Sequence, residues 1–450
     1  MVRHIAFAVL LFVGSIDATI AAQPSVVTFN DDGGWCWFED ERAIIVDGKL
    51  IFGSVAAGCH QPARRGNIEV VNYDIETGAN QTSVLHHGFE LDDHDSPALT
   101  VLSDDRILAM YAKHGRDNRI CYRITTRPGD TTEWQSERVI VPSQSTSVTY
   151  SNLLRLCNEN GGKGRLFDFF RGYDGSFKPS WIVSDDEGET WTARGLWIDF
   201  PVARRHRPYV KYSGNGKDTI HFVFTEGHPR DFDNSLYHAF YRAGAFYRSD
   251  GSRIKAVTDG ALTPSEASKI FAGDGDNVAW PCDLHLDEQQ RPVVVYSVQK
   301  NSAGLGPKHP EAGRDHRYRW AKWDGDDWQD QELAFGGTRL YAGEDDYTGL
   351  ICLDPHNTNQ VYLSSNVDIQ TGEPNSSGRY EIFRGVNDSD NAWTWTAITE
   401  NSNIDNIRPI VPISDSEDTA VMWLRGTIRT YTDYDLDVVG IVIPTNSSSP

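Results

Sequence analysis

Residues 92–114, DDHDSPALTVLSDDRILAMYAKH, set the pattern that the whole chain repeats. A polar cluster leads into a short apolar run, Pro97 to Leu102. Ser103 to Arg106 make a polar break, and a second apolar run, Ile107 to Tyr111, ends at Lys113 and His114. Two such runs around an Asp/Ser turn predict a β-hairpin. Antiparallel pairing brings the outer ends of a hairpin to one edge of its sheet. His94 and His114 are therefore expected side by side.

The same alternation returns in residues 35–56, 148–172, 204–228, 277–299, 345–368 and 405–426, aligning at Glu41, Pro97, Asn152, Pro208, Pro281, Thr348 and Pro409. Further strand candidates, such as NIEVVNYD, NRICYRITT, SWIVSD and RYEIFRGV, fill the intervals. About four strands per unit, repeated radially, predict an all-β fold: a seven-bladed β-propeller of four-stranded antiparallel blades. SDDEGETW (184–191) matches an Asp box, expected to close a hairpin turn and to wedge Trp191 between blades. SVVTF (25–29) is expected to close the ring beside DVVGIVI (437–443). TPSEASKIF (263–271) predicts one short helical turn, because Thr263 and Glu266 have capping-box spacing. Residues 23–443 read as a single catalytic domain, with inserts at 229–276 and 300–344 shaping the cleft and a disordered tail at 444–450.

Composition agrees, with 39 Gly, 13 Trp and only 3 Met. The formal net charge of -22 argues against nucleic acid as a partner. Residues 1–22 resemble a secretory signal: Arg3 and His4 precede the apolar stretch Ile5 to Val13, and Ala18, Ala21 and Ala22 follow. That stretch is too short to span a bilayer. The expectation is a soluble, secreted monomer with sequons at Asn80, Asn375, Asn387 and Asn446. The six cysteines form no CxxC pair, which argues against a zinc ribbon and leaves their pairing open.

In a propeller, the starts of first strands and the ends of second strands share one face. Here those positions gather Glu39, Asp40, His94, His114, Tyr150, Asn152, Arg171, Arg205, His206, Arg207, His228, Trp280, Asp283, Asp346, Tyr347, Arg408 and Arg425. A mouth rich in His, Arg and Tyr on an acidic protein points to an anionic ligand. His94, His114, Tyr150 and Arg207 are the candidate catalytic residues; Arg171, Asn152, His228, Trp280 and Arg408 are the candidate substrate contacts. Each has a structural alternative: Arg207 pairing with Asp283, Arg171 bridging blades, His228 and Trp280 as core. Glycoside hydrolysis calls for a pair of carboxylic acids, and none stands out. β-Elimination on a uronic acid calls for a group that neutralises the carboxylate, a base for the C5 proton and an acid for O4. Arg suits the first role through bidentate contact, and His suits the second near neutral pH.

The segments DDHDSPALTVLSDDRILAMYAKHG, VTYSN, FFRG, RPYVKYSGNGKDTIHFVFTEGHP, RLYAGEDDYTGL, RPIVP and LRGTIRTYTDYD resemble the BNR-repeat (Asp-box) seven-bladed propellers that include ulvan lyases and L-rhamnose-α-1,4-D-glucuronate lyases. The resemblance implies a polysaccharide lyase acting at a rhamnose–glucuronate linkage, in which two His, a Tyr and an Arg do the chemistry. The His pair looks like His94 and His114. The Arg looks like Arg207, with Arg171 as its competitor, and the Tyr like Tyr150, with Tyr173 and Tyr209 behind it. No cofactor is required for this chemistry, although a structural Ca2+ in the central channel would fit the family. A sialidase-like hydrolase and a non-catalytic glycan-binding propeller are the alternatives.

Overall fold

The computed structural model describes residues 25–443, apart from Phe38, Glu41, residues 143–146, Gly175, residues 201–206, 302–304, 306–308 and 389–391, and Glu417. The leader at 1–22, the tail at 444–450, the sequon at Asn446, the alignment point Glu41, and Arg205 and His206 lie outside the described residues.

Seven sheets follow one another along the chain, as the repeats predict. Blade one begins at Ala43–Val46, blade two at Ala98–Val101, blade three at Thr149–Leu156, blade four at Val210–Gly214, blade five at Asn277–Leu286, blade six at Ile351–Asp354 and blade seven at Asp405–Ile410. The founding hairpin pairs in the expected register, Ala98 opposite Met110 and Val101 opposite Ile107. The ring closes as expected: Val27–Asn30 is the outermost strand of blade seven, with Val27 opposite Gly440.

Three blades depart from the four-strand expectation: the sheets of blades one and two have five strands and that of blade four has six. The helical turn is only Pro264–Glu266, capped by Glu266 on the Thr263 amide at 2.8 Å. The Ser268–Phe271 run then forms a strand against Leu236–Arg242, because it alternates along an unsatisfied sheet edge. In the Asp box, Ser184 Oγ accepts from the Gly188 amide at 2.8 Å and Asp186 accepts from Thr190 Oγ1 at 2.6 Å. Trp191 meets Tyr122 of blade two edge-on at 6.2 Å. All six cysteines are free thiols.

The core lies between blades. Phe169 of blade three stacks on Tyr212 of blade four at 4.2 Å, with Trp197 and Phe222 packed around them. Each large side chain buried in this way stabilises the fold by about 1.5–3 kcal/mol. Three innermost strands carry bulges: between Thr149 and Asn152, between Pro281 and Asp283, and between Ile407 and Ile410. Tyr150 and Arg408 sit in two of them with left-handed φ of 66° and 54°. Bulges re-aim side chains, and a non-glycine residue holds this conformation at a cost of roughly 1–3 kcal/mol.

Candidate active site

The DDHD stretch forms a single 3-10 turn, Asp93–Asp95, just before the first strand of blade two. Asp92 caps it by accepting from the His94 amide at 3.1 Å. This fixes the His94 ring over the end of the partner strand, where His114 follows Ala112. The two imidazoles stack with centroids 3.8 Å apart and 12° between their planes. One carboxylate joins them: Asp92 lies 2.6 Å from Nδ1 of His94 and 3.0 Å from Nδ1 of His114. Asp93 stands 2.9 Å from the same His94 nitrogen, and its other oxygen receives Arg408 at 2.6 Å.

This chain of alternating charges sets the protonation states. Burial opposes the charge on Asp92, but the imidazoles, His94 first, hold its carboxyl well below the usual range. Burial also opposes charging His94; Cys36, Tyr150 and Asp92 outweigh it and raise His94 well above 6.5. Of those three, only Asp92 is an anion at neutral pH, because burial pushes the Cys36 thiol and the Tyr150 phenol up. His114 moves the other way, lowered by burial and by the charge on His94. The pair is therefore one imidazolium and one neutral imidazole. His114, with 27% of its side chain exposed, is the one that faces solvent. With Nδ1–H donated to Asp92, its Nε2 lone pair is free to take a proton.

Tyr150 lies 5.6 Å from the His94 ring and 6.1 Å from the His114 ring. Arg171, at the end of the second strand of blade three, donates to Tyr150 Oη at 3.4 Å and to the Phe177 carbonyl at 2.9 Å. Its guanidinium spreads over the Tyr209 ring at 4.5 Å. It is almost wholly buried, the Tyr150 and Tyr209 phenols are its side-chain partners, and no carboxylate among the described residues pairs with it. Arg207 stands half-buried close by, near enough that it, Arg230 and Arg171, after burial itself, depress His228.

Several expected substrate contacts prove structural. Arg408 is 0% exposed and spends its charge on Asp93 and the Trp35 carbonyl, so it braces the His94 carboxylates instead of meeting a ligand. Asn152 is buried, accepting from the Asp40 amide at 2.9 Å and from Arg42 at 3.3 Å, which knits blade three to the segment before blade one. Trp280 lies in an aromatic floor, stacked on Trp37 at 5.2 Å and against Tyr347 at 5.2 Å. His228 joins that floor, 5.3 Å from Trp280, and accepts from the Arg230 amide at 3.0 Å. Arg425 pairs with Asp437 on its own blade. Asp346 is buried and raised to about 8 by burial and by Asp345.

Other residues join the site without having been singled out. Tyr431, at the tip of the hairpin Thr419–Thr430 with Asp433–Ile443, lies nearly perpendicular to both imidazoles, with centroids at 5.2 and 5.5 Å. Its carbonyl accepts from the Asp93 amide at 3.0 Å. Tyr341 stands beside Asp93, Arg408 and Glu344, and Glu344 holds Arg230 at 2.9 Å. The signal for Tyr431 was the unusual length of the last hairpin; nothing in the repeat pattern marks Tyr341.

Among the described residues, two sets of side chains bring three ligand atoms within 4.8 Å of one another: Cys36, Asp93, His94 and Asp92, His94, His114. In the second set Asp92 takes the Nδ1–H of both imidazoles, which leaves those nitrogens no lone pair for a metal. Neither set is the cage of six to eight oxygens that calcium takes. The channel cation therefore finds no support in these donors, and no step below passes through one.

The profile of the BNR repeat-containing family matches residues 59–335. No curated protein matches the sequence. Among solved structures, an ulvan lyase of polysaccharide lyase family PL25, bound to a glucuronate-(1-4)-rhamnose-3-sulfate repeat, superposes with a TM-score of 0.64 at 13% identity, covering 94% of this chain and 98% of the other. The same lyase without that ligand superposes equally well, at TM-score 0.64 and 13% identity over 94% and 98% of the two chains. A lectin from Burkholderia pseudomallei lies further away, with a TM-score of 0.48 and 11% identity over 91% of this chain and 98% of that one.

Proposed function

Because the chain belongs to the BNR repeat-containing family, with the site just described at the mouth of its ring, we propose that it is a secreted polysaccharide lyase. It cleaves a rhamnose-α-1,4-glucuronate linkage by β-elimination and leaves a 4,5-unsaturated uronate. The observation that carries this reading is Arg171: a buried guanidinium with no carboxylate partner among the described residues, beside the stacked imidazoles. An uncompensated buried charge is costly, and a substrate carboxylate is the counter-ion that removes the cost.

Arg171 takes the uronate carboxylate, and Arg207 closes on it from the half-exposed side. Drawing off that charge makes the C5 proton more acidic. His114 Nε2 removes it, the electrons of the C5–H bond form the C4–C5 double bond, and the C4–O4 bond breaks. Tyr150 gives its phenolic proton to O4, with Arg171 and the His94 imidazolium stabilising the phenolate. In a glucuronate chair the C5 hydrogen is axial and O4 equatorial, so both depart from one side of the ring. His114 and Tyr150 on one wall match that requirement. Asp92 and Asp93 do not touch the sugar; they fix the tautomers and keep the charge on His94.

The ulvan lyase neighbour, bound to a glucuronate–rhamnose repeat, supports this substrate class. The sialidase-like alternative requires a Tyr–Glu nucleophile pair and three Arg around one carboxylate. It is disfavoured because Glu344, the glutamate beside Tyr341 and Tyr347, is held by Arg230, and Arg408 is sealed off. The test is ultraviolet absorbance of the conjugated product on gum-arabic-type arabinogalactan and on ulvan, with products from isotopic water analysed in parallel. Absorbance without label incorporation is expected. Label at the reducing end without absorbance would mean hydrolysis, and saturable binding with neither would leave a lectin.

A further inference from the structure

We propose that the crevice between blades four and five, on the face of the ring away from His94 and His114, is a second saccharide-binding site that holds a neutral sugar unit of the polymer without cleaving it. The site is built where the strands turn at their far ends. Asn215 and Asp218 lie on the turn after Val210–Gly214, Arg291 lies on the turn after Asn277–Leu286, and Trp323 ends the third strand of blade five. The innermost strands of these blades begin at the catalytic mouth, so their closing turns belong to the opposite face.

The recess measures about 410 Å3, within the usual range for small-molecule sites of roughly 300–1,000 Å3. A buried polar relay ends in it. Trp328 Nε1 donates to Ser249 Oγ at 3.0 Å, Ser249 Oγ meets His238 Nδ1 at 2.8 Å, and His238 Nε2 meets His221 Nδ1 at 3.1 Å. An indole N–H can only donate. Run head to tail from it, the relay places a proton on His221 Nε2, which lines the recess. Both imidazoles stay neutral: burial, then Arg242, lowers His221 to about 3, and burial, then His221, lowers His238. Two apolar side chains would fill this layer without the desolvation cost of four ring nitrogens. What the histidines add is a fixed, uncharged hydrogen-bonding atom at the wall of the pocket.

The remaining walls are those a sugar needs. Phe240 stacks on Tyr247 at 5.1 Å, and the Arg242 guanidinium lies over both rings, at 5.4 and 5.2 Å. That packing holds five donors in a plane at the rim. Trp323 adds a half-buried aromatic face. Asp218 is oriented by Thr219 Oγ1 at 2.8 Å and Asn215 Nδ2 at 3.0 Å. Aromatic faces take the C–H side of a pyranose, and planar carboxylate and guanidinium groups take neighbouring hydroxyls in pairs. Asp218 and Asp250 balance Arg242, and Arg291 is already tied to Asp287 at 2.9 Å, so the pocket selects a neutral unit over a uronate.

The experiment is affinity electrophoresis through gels containing gum arabic or ulvan, run on a His114→Ala background so that retardation does not depend on turnover. Adding Arg242→Ala and Trp323→Ala together is expected to weaken retardation at least threefold in one of the two gels. The same pair in the otherwise native enzyme is expected to leave the melting temperature and the turnover of short oligosaccharides unchanged. His221→Phe, which keeps the ring and loses the donor, is expected to weaken retardation with the fold intact. Retardation that survives all three substitutions, absence of retardation in both gels, or loss of short-substrate turnover in the double variant overturns the proposal. Failure of the elimination reading alone shows only in the absorbance assay and leaves the retardation result standing.

Discussion

Among the described residues two pairs of histidines stack, and only one pair holds a charge. His94 and His114 lie 3.8 Å apart at 12°, with Asp92 bridging their Nδ1 atoms. His221 and His238 lie 5.3 Å apart at 19°, bonded nitrogen to nitrogen, with Ser249 as the outer partner. Burial depresses all four. Cys36, Tyr150 and Asp92 together reverse the outcome for His94 alone. The first pair thus carries one proton ready to redistribute, and the second carries fixed dipoles. Residue type and burial do not separate the two pairs; the charges around the rings do.

The largest effect tests whether the charged pair is the reactive one. His114→Ala is expected to lower kcat/KM by roughly 10²–10⁴, and Arg171→Ala by about 10²–10³, while His221→Phe leaves elimination on short substrates unchanged. Equal losses at both pairs would erase the distinction. Next is the brace: Arg408→Ala strands Asp93 and is expected to cost about 3–5 kcal/mol in urea unfolding. Asp92→Asn turns the first pair into a likeness of the second. It is expected to lower kcat by about 10² with KM little changed, and to move the His94 proton signals, followed by NMR, toward an ordinary titration.

Smaller still are the opposite pH slopes of stability. His94 is raised, so its contribution is complete below the unfolded value near 6.5 and is lost as pH rises through the folded value. His221 is lowered to about 3, so its contribution is complete above 6.5 and is lost as pH falls toward 3. Each group gives at most about 1.4 kcal/mol per pH unit inside its window. Removing His221 as Phe should flatten the acid side of a denaturation series and leave the alkaline side alone; an unchanged acid slope would mean that the pair is already protonated in the folded state.

The period-two alternation and recurrent Asp/Gly/Asn turns made the ring, its closure and the meeting of His94 with His114 legible before any coordinates. A hairpin forces the two ends together whatever the rest of the chain does. Arg408 was misread because its strand position was right and its side-chain direction was not: the bulge after Ile407 turns it toward Asp93. The framework role of Asn152 was hidden for a related reason, since its partners Arg42 and Asp40 precede blade one and no local pattern connects them. Tyr341 was hidden because it lies in an insert that obeys no repeat. Arg171 and Arg207 could not be ranked from sequence, because what distinguishes Arg171 is burial without a counter-ion.

Tyr431 offers the finest probe of the charged stack. Its ring is nearly perpendicular to both imidazoles, at 88° and 78°, with centroids 5.2 and 5.5 Å away. A ring almost equidistant from two stacked partners lies beside the stack, so its face meets their edges. The edge of an imidazolium is positive and the face of a phenol ring negative, an attraction of about 0.5–1 kcal/mol at a partly exposed position. The Tyr431 carbonyl, which anchors Asp93, survives any side-chain change. Tyr431→Phe keeps the face and is expected to keep kcat, whereas Tyr431→Leu removes it and is expected to lower kcat by about two- to fivefold, the rate equivalent of that energy. Should Phe prove as damaging as Leu, the hydroxyl and not the ring face is what the reaction uses, and Tyr431 would replace Tyr150 as the group that protonates O4.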